Sequence, residues 1–160
     1  MSDLQNLDDL LTAVAELAGL DEVIRVQEDQ IVWLLGIDDQ DTVLAQWQQA
    51  TRRMMFTLEI GPLPDRHCEH WLKEVLSYNL LWQQTGGARI GLLPPDNRLQ
   101  LLFDVHAEQL GASQIVSVLD NLIQVANAWR NTLNADPQAS AEQAVDTFSV
   151  CDNPNHFIRI

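Results

Sequence analysis

Between Ile31 and Ile60 apolar residues occupy every second position in three successive runs: Ile31, Trp33, Leu35 and Ile37; Val43, Ala45 and Trp47; Met54, Phe56, Leu58 and Ile60. A period of two is what a strand with one buried face requires. The intervening loops are too short for a crossover helix, so the three strands must pair antiparallel as a meander. Asp38-Asp39-Gln40-Asp41 supplies the first turn, and Gly61-Pro62-Leu63-Pro64 ends the third run. The first run is also apolar at Val32 and Leu34, which predicts a strand covered on both faces.

Helical spacing flanks this meander. Ser2 and Gln5 form a capping box, and Leu4, Leu7, Leu10, Leu11, Val14 and Leu17 then recur at a helical period, giving a helix over 3–18. A second helical pattern runs from Asp65 to about Gln84 and stops at Gly86-Gly87. On it, Trp71, Val75, Tyr78 and Trp82 fall within about 60° of one another, while Leu72, Leu76 and Leu80 form a separate row. Two apolar faces need two surfaces to cover them, so the aromatic face is expected to meet a second copy of the same helix in a two-fold dimer. A hairpin follows, with Ile90 and Leu92 before Pro94-Pro95-Asp96-Asn97 and Leu99, Leu101, Phe103 and Val105 after it. A last helix spans about Ser113 to Leu133. The expected fold is α+β: helix, three antiparallel strands, helix, two strands, helix, forming one domain over 1–134. Residues 135–160 are expected to form a flexible, mostly polar tail that closes on the apolar Phe157-Ile158-Arg159-Ile160.

Charge narrows the partners. Nine Lys and Arg face 23 Asp and Glu, a net charge of −14. Nucleic acid and anionic membrane both require a positive surface, so a basic or hydrophobic polypeptide is the better partner. No signal peptide or membrane-spanning stretch is visible. Cys68 and Cys151 lie far apart in the chain and do not read as a disulfide framework, which makes a reducing cytoplasm the simplest compartment.

Catalytic chemistry finds little support. There is no phosphate-cradling glycine loop, nucleophile elbow, H-E-x-x-H or paired CxxC. His67, Cys68, Glu69 and His70 are the nearest approach to a metal site, but they lack a second ligand pair elsewhere, and an exposed helix start accounts for them. Asp38-Asp39-Gln40-Asp41 has neither the glycine nor the bidentate glutamate of a calcium loop. Neither an enzymatic activity nor a cofactor is expected.

The stretch from Val75 to Leu110 contains Asn79-Leu80-Leu81-Trp82, then Gly86-Gly87-Ala88-Arg89-Ile90-Gly91-Leu92, then Leu99-Gln100-Leu101-Leu102-Phe103. It resembles the class I chaperones of bacterial type III secretion, the Tir chaperone family, whose members are small, acidic, cytoplasmic homodimers. The resemblance implies a chaperone without ATPase activity. Such a protein holds the N-terminal chaperone-binding segment of one or more secreted effectors in extended form, by apolar grooves and strand pairing at sheet edges. Carried onto this chain, it assigns the dimer contact to Trp71, Val75, Tyr78 and Trp82. It assigns effector binding to Leu7, Leu11 and Val14 of the first helix and to Val32, Leu34, Met55 and Thr57 of the strands. The secretion ATPase or a regulator are further partners it leaves open. The alternative is a regulatory protein that sequesters a transcriptional regulator or anti-activator of the secretion system.

Overall fold

The computed structural model describes residues 3–27 and 31–135. Helix α1 (Asp3–Ala18) leads into β1 (Glu22–Gln27), β2 (Ile31–Gly36), β3 (Thr42–Gln48) and β4 (Arg53–Pro62). Helix α2 (Cys68–Leu80) precedes the hairpin of β5 (Arg89–Leu93) and β6 (Arg98–His106), and α3 (Ala112–Asn134) follows a single 3-10 turn. The strands form one antiparallel sheet in the order β1-β2-β3-β4-β6-β5. The tail expected from 135 lies, beyond Ala135, outside the described residues.

The α+β order stands, with one strand more than the five expected. Strand β1, Glu-Val-Ile-Arg-Val-Gln, has adjacent apolar residues at Val23 and Ile24 and a charge at Arg25, so it carries no clean alternation. Its register explains why. Val23 pairs with Leu35 on the helix side of the sheet, while Ile24 pairs with Leu34 on the other, and both sides of this edge strand are partly apolar. Arg25 is accommodated on the helix side because Asp8 of α1 accepts its Nη1–H at 2.9 Å and the indole N–H of Trp33 at 2.8 Å. The guanidinium lies 5.8 Å from the centre of the Trp33 ring.

All three helices bury their apolar faces on one side of the sheet. Leu11 and Val14 of α1, Trp71 and Val75 of α2, and Ile115 and Leu119 of α3 join Trp33, Leu35, Phe56 and Leu101 in a single core. Each fully buried side chain of this size contributes about 1.5–3 kcal/mol. The second cover expected over Val32 and Leu34 does not come from these helices, which leave the opposite side of the sheet open.

Helix α2 is shorter than the expected 65–84. It begins after His67, which has a left-handed backbone (φ 61°), and closes where the Leu81 N–H bonds the Tyr78 carbonyl. Its faces are also used differently. The first three of the aromatic row turn inward, with Trp71 and Val75 buried and Tyr78 packed edge-to-face on Trp129 of α3 at 5.5 Å, while Trp82, beyond the helix end, is exposed. Large rings fill the gap between helix, sheet and α3 with the most area per residue, so the leucine row is the one left outside.

One polar cluster ties the layers together. The register of β4 on β6 slips between Glu59 and Gly61, a bulge that turns the carbonyls of Glu59 and Ile60 out of the ladder. Arg130 of α3 donates to both, from Nη2 to Glu59 at 2.6 Å and from Nε to Ile60 at 3.0 Å. The same guanidinium grips Asp41 with two bonds, of 2.6 and 3.1 Å. Asp41 is only 5% exposed and is positioned by an Asx turn in which Asp38 accepts the N–H groups of Gln40 and Asp41, each at 2.8 Å.

Removing Arg130 strands the Asp41 carboxylate and two carbonyls. Arg130→Ala is therefore expected to lower unfolding stability by about 3 kcal/mol. Arg25→Ala, which breaks a half-exposed pair, is expected to cost less than about 1 kcal/mol. Urea denaturation of both variants checks the contrast, and equal losses would contradict it.

Candidate functional site

The side of the sheet away from the helices is where apolar surface is left without cover by the described residues. Strand register places Ile24, Leu34, Leu44, Thr57, Leu102 and Arg89 in one row across all six strands. A second row runs through Val26, Val32, Gln46, Met55 and Asp104. Ile24 is exposed, and Leu34, Leu44, Met55, Thr57 and Leu102 are half-buried by their neighbours alone. Such a face offers shallow apolar grooves between strands to an extended chain.

Four of the residues expected to touch an effector, Val32, Leu34, Met55 and Thr57, therefore lie together. The three from the first helix do not join them. Leu7, Leu11 and Val14 sit on the other side of the sheet inside the core, because the apolar stripe of α1 is consumed in packing on α3 and β1. Ile24, Leu44 and Leu102 complete the open row and are absent from the sequence-based set. Their signal was present in the pairs Val23-Ile24, Val43-Leu44 and Leu101-Leu102, where an apolar residue interrupts the alternation by filling the wrong face.

The two edges of the sheet differ. At the β5 edge the Asn79 side chain of α2 takes the place of a further strand: Nδ2 donates to the Ile90 carbonyl at 2.9 Å and Oδ1 accepts the Ile90 N–H at 2.8 Å. This gives the Asn79-Leu80-Leu81-Trp82 motif its physical content. The glycines that follow, Gly86 (φ 66°) and Gly87 (φ 95°), allow the left-handed turns that bring the chain from α2 back into β5. At the other edge, among the described residues β1 pairs only with β2, so its outer backbone groups face no described strand.

A second apolar patch lies on α2 and β5. Leu76, Leu80 and Leu81 are exposed, Leu80 to 79%, together with Leu92 and Leu93, and Trp82 stands at the border of the patch. Of the four residues expected at a dimer contact, Trp71 and Val75 are thus core residues, Tyr78 is half-buried against Trp129, and Trp82 is open.

Charged groups frame the open face. Burial acts to raise the Asp104 carboxyl, but hydrogen bonds from Arg89 and Arg53 outweigh it and hold it below the ordinary aspartate value. Arg98 bonds Glu59 and likewise lowers its carboxyl. His67, Cys68, Glu69 and His70 remain an unassembled set, and among the described residues no three His, Cys, Asp or Glu side chains are grouped to hold a metal ion. Among those residues no helix is long and apolar enough to cross a membrane.

Comparison with known proteins gives a consistent result. No curated protein sequence matches the chain. Among solved structures, that of the ExsC-ExsE complex superposes with a TM-score of 0.72 at 21% identity, covering 83% of this chain and 97% of the other. The HopA1-SchA chaperone-effector complex gives 0.66 at 16% identity, covering 82% and 99%. The Yersinia pestis type III secretion chaperone SycH, in complex with a stable fragment of YscM2, gives 0.60 at 22% identity, covering 75% and 96%. The family model of the Tir chaperone protein (CesT) family matches residues 10–130, and the chain belongs to that family.

Proposed function

We propose that this protein is a type III secretion chaperone that holds an extended segment of a secreted effector in the bacterial cytoplasm, keeping it soluble and competent for export. The observation that carries this reading is that, among the described residues, the six-stranded sheet has helices on one side only, an apolar row across the other and an edge strand, β1, paired on one side. A stretch of the segment that pairs along β1 satisfies its backbone there, and a stretch that continues across the open face lays alternate side chains on the apolar row. The family and the chaperone-effector complexes that share the fold support it. A net charge of −14 keeps such an apolar surface in solution while it is empty.

The α2 and β5 patch has a different use in this reading. Leu76 and Leu80 lie one turn apart on an exposed face of α2, with exposed Leu81 just beyond its end, which suits an isologous contact with a second copy. The dimer contact belongs to this row, with Trp82 at its border.

Two outcomes are expected. Leu34→Asp places a charge in the middle of the open row without touching the helix-covered core, so it should reduce binding of effector N-terminal fragments at least about tenfold while the chain stays folded. Titration calorimetry beside circular dichroism reads both; unchanged affinity would remove the open face as the binding surface. Leu80→Glu should convert a particle of twice the 18.1 kDa chain mass into a monomer in light scattering. A wild-type chain that is already monomeric at micromolar concentration would contradict the dimer.

A further inference from the structure

Among the described residues, four ion pairs are one to one and one carboxylate is shared by two cations. Arg25 pairs with Asp8, Lys73 with Glu69, Arg98 with Glu59 and Arg130 with Asp41, each cation facing a carboxylate of its own. Arg53 of β4 and Arg89 of β5 instead share Asp104 of β6. Asp104 is only 15% exposed at its side chain, whereas Arg53 and Arg89 are 47% and 50% exposed. The carboxylate lies beneath, and the two cations face outward. Each reaches Asp104 through Nη1, and a guanidinium carries five N–H donors, so both retain donors for a further acceptor. Two guanidinium groups thus share one carboxylate at one corner of a strongly acidic chain, with Glu108 lining the next cavity on the Arg53 side.

The place of this corner matters. Arg89 ends the row that begins at Ile24, so five apolar or neutral positions lead across the sheet to a cation. Beside it, Arg53, Arg89 and Asp104 line a cavity of about 470 Å³ with Trp82 and Phe103, roomy enough for a side chain that brings both apolar surface and a charge.

We propose that Arg53 and Arg89 form the anion-accepting end of the polypeptide groove and take the carboxylate of an Asp or Glu in the bound segment. The proposal rests on the reading of the open face as the effector surface and adds the chemistry of what it selects. Six strands at about 4.8 Å spacing span about 24 Å, which an extended chain crosses in about seven residues. The fitting segment thus has apolar side chains over about seven residues and an acidic residue at the end that lies over β5. A Lys or Arg at that position meets two like charges, so the local preference runs against the one set by the net charge of the whole chain.

The probe is a phage-displayed library of random dodecapeptides panned on the full chain. Selected peptides are expected to carry Asp or Glu at one end of an apolar stretch. Changing that acid to the amide in a selected peptide should weaken binding to the wild type about five- to tenfold. It should matter little to the Arg53→Gln/Arg89→Gln double variant. Because the double variant leaves Asp104 without partners, Arg89→Gln alone, which keeps Arg53 on Asp104, serves as a second variant and should show a reduced acid preference. Acid and amide peptides that bind the wild type equally, or binders with no acid in common, overturn the proposal and leave the groove itself standing. A library that yields no binder overturns the groove and the proposal together.

Discussion

The grip of Arg130 on Asp41 and on the carbonyls of Glu59 and Ile60 is the contact on which the arrangement of layers depends. A bulge in β4 leaves backbone acceptors without ladder partners, and acceptors buried under a helix cost free energy unless a donor reaches them. Arg130 is that donor, and its charge is balanced by an aspartate delivered from the β2 to β3 turn. One side chain thereby fixes α3 on β4 and holds the turn against the same helix. The interaction adds little net energy compared with an apolar contact of equal size, but breaking it is costly, and that asymmetry makes it a device of registration.

With α3 fixed, the rest of the helix layer follows from area. α1 and α2 turn their widest apolar stripes toward the sheet, and this consumes Leu11, Val14, Trp71 and Val75. What remains outside are the narrower features: the leucine row of α2 and the minority apolar residues on the far side of the strands. The surfaces proposed for recognition are the remainder left after the core is built. This explains why the strongest apolar periodicities in the sequence mark the interior and the weaker ones mark the places open to a partner.

That division accounts for what was legible in the sequence. The alternation at Ile31–Ile37, Val43–Trp47 and Met54–Ile60 is dictated by one-sided burial, and it placed β2, β3 and β4. Strand β1 was hidden because Val23 and Ile24 face opposite sides and Arg25 is neutralised by Asp8, a residue on a different element. Val32, Leu34, Met55 and Thr57 could be grouped because they sit out of phase with the buried set. Leu11 and Val14 could not be told from a docking stripe, since an apolar helix face looks the same whether it meets a sheet of its own chain or another polypeptide. The choice between the two faces of α2 turned on Trp129, 51 positions beyond Tyr78 in the chain, and no local pattern contains that contact.

The side-chain amide of Asn79, seated against Ile90, also sets a limit on assembly. A sheet with two free edges can lengthen without end, each added strand exposing a new template for the next. Here the Ile90 position of the β5 edge is taken by a side-chain amide, which cannot template a further strand, so an added strand finds that position already filled. In a protein whose surface is suited to unfolded segments, such a plug makes the β5 edge a poorer template for strand addition than β1.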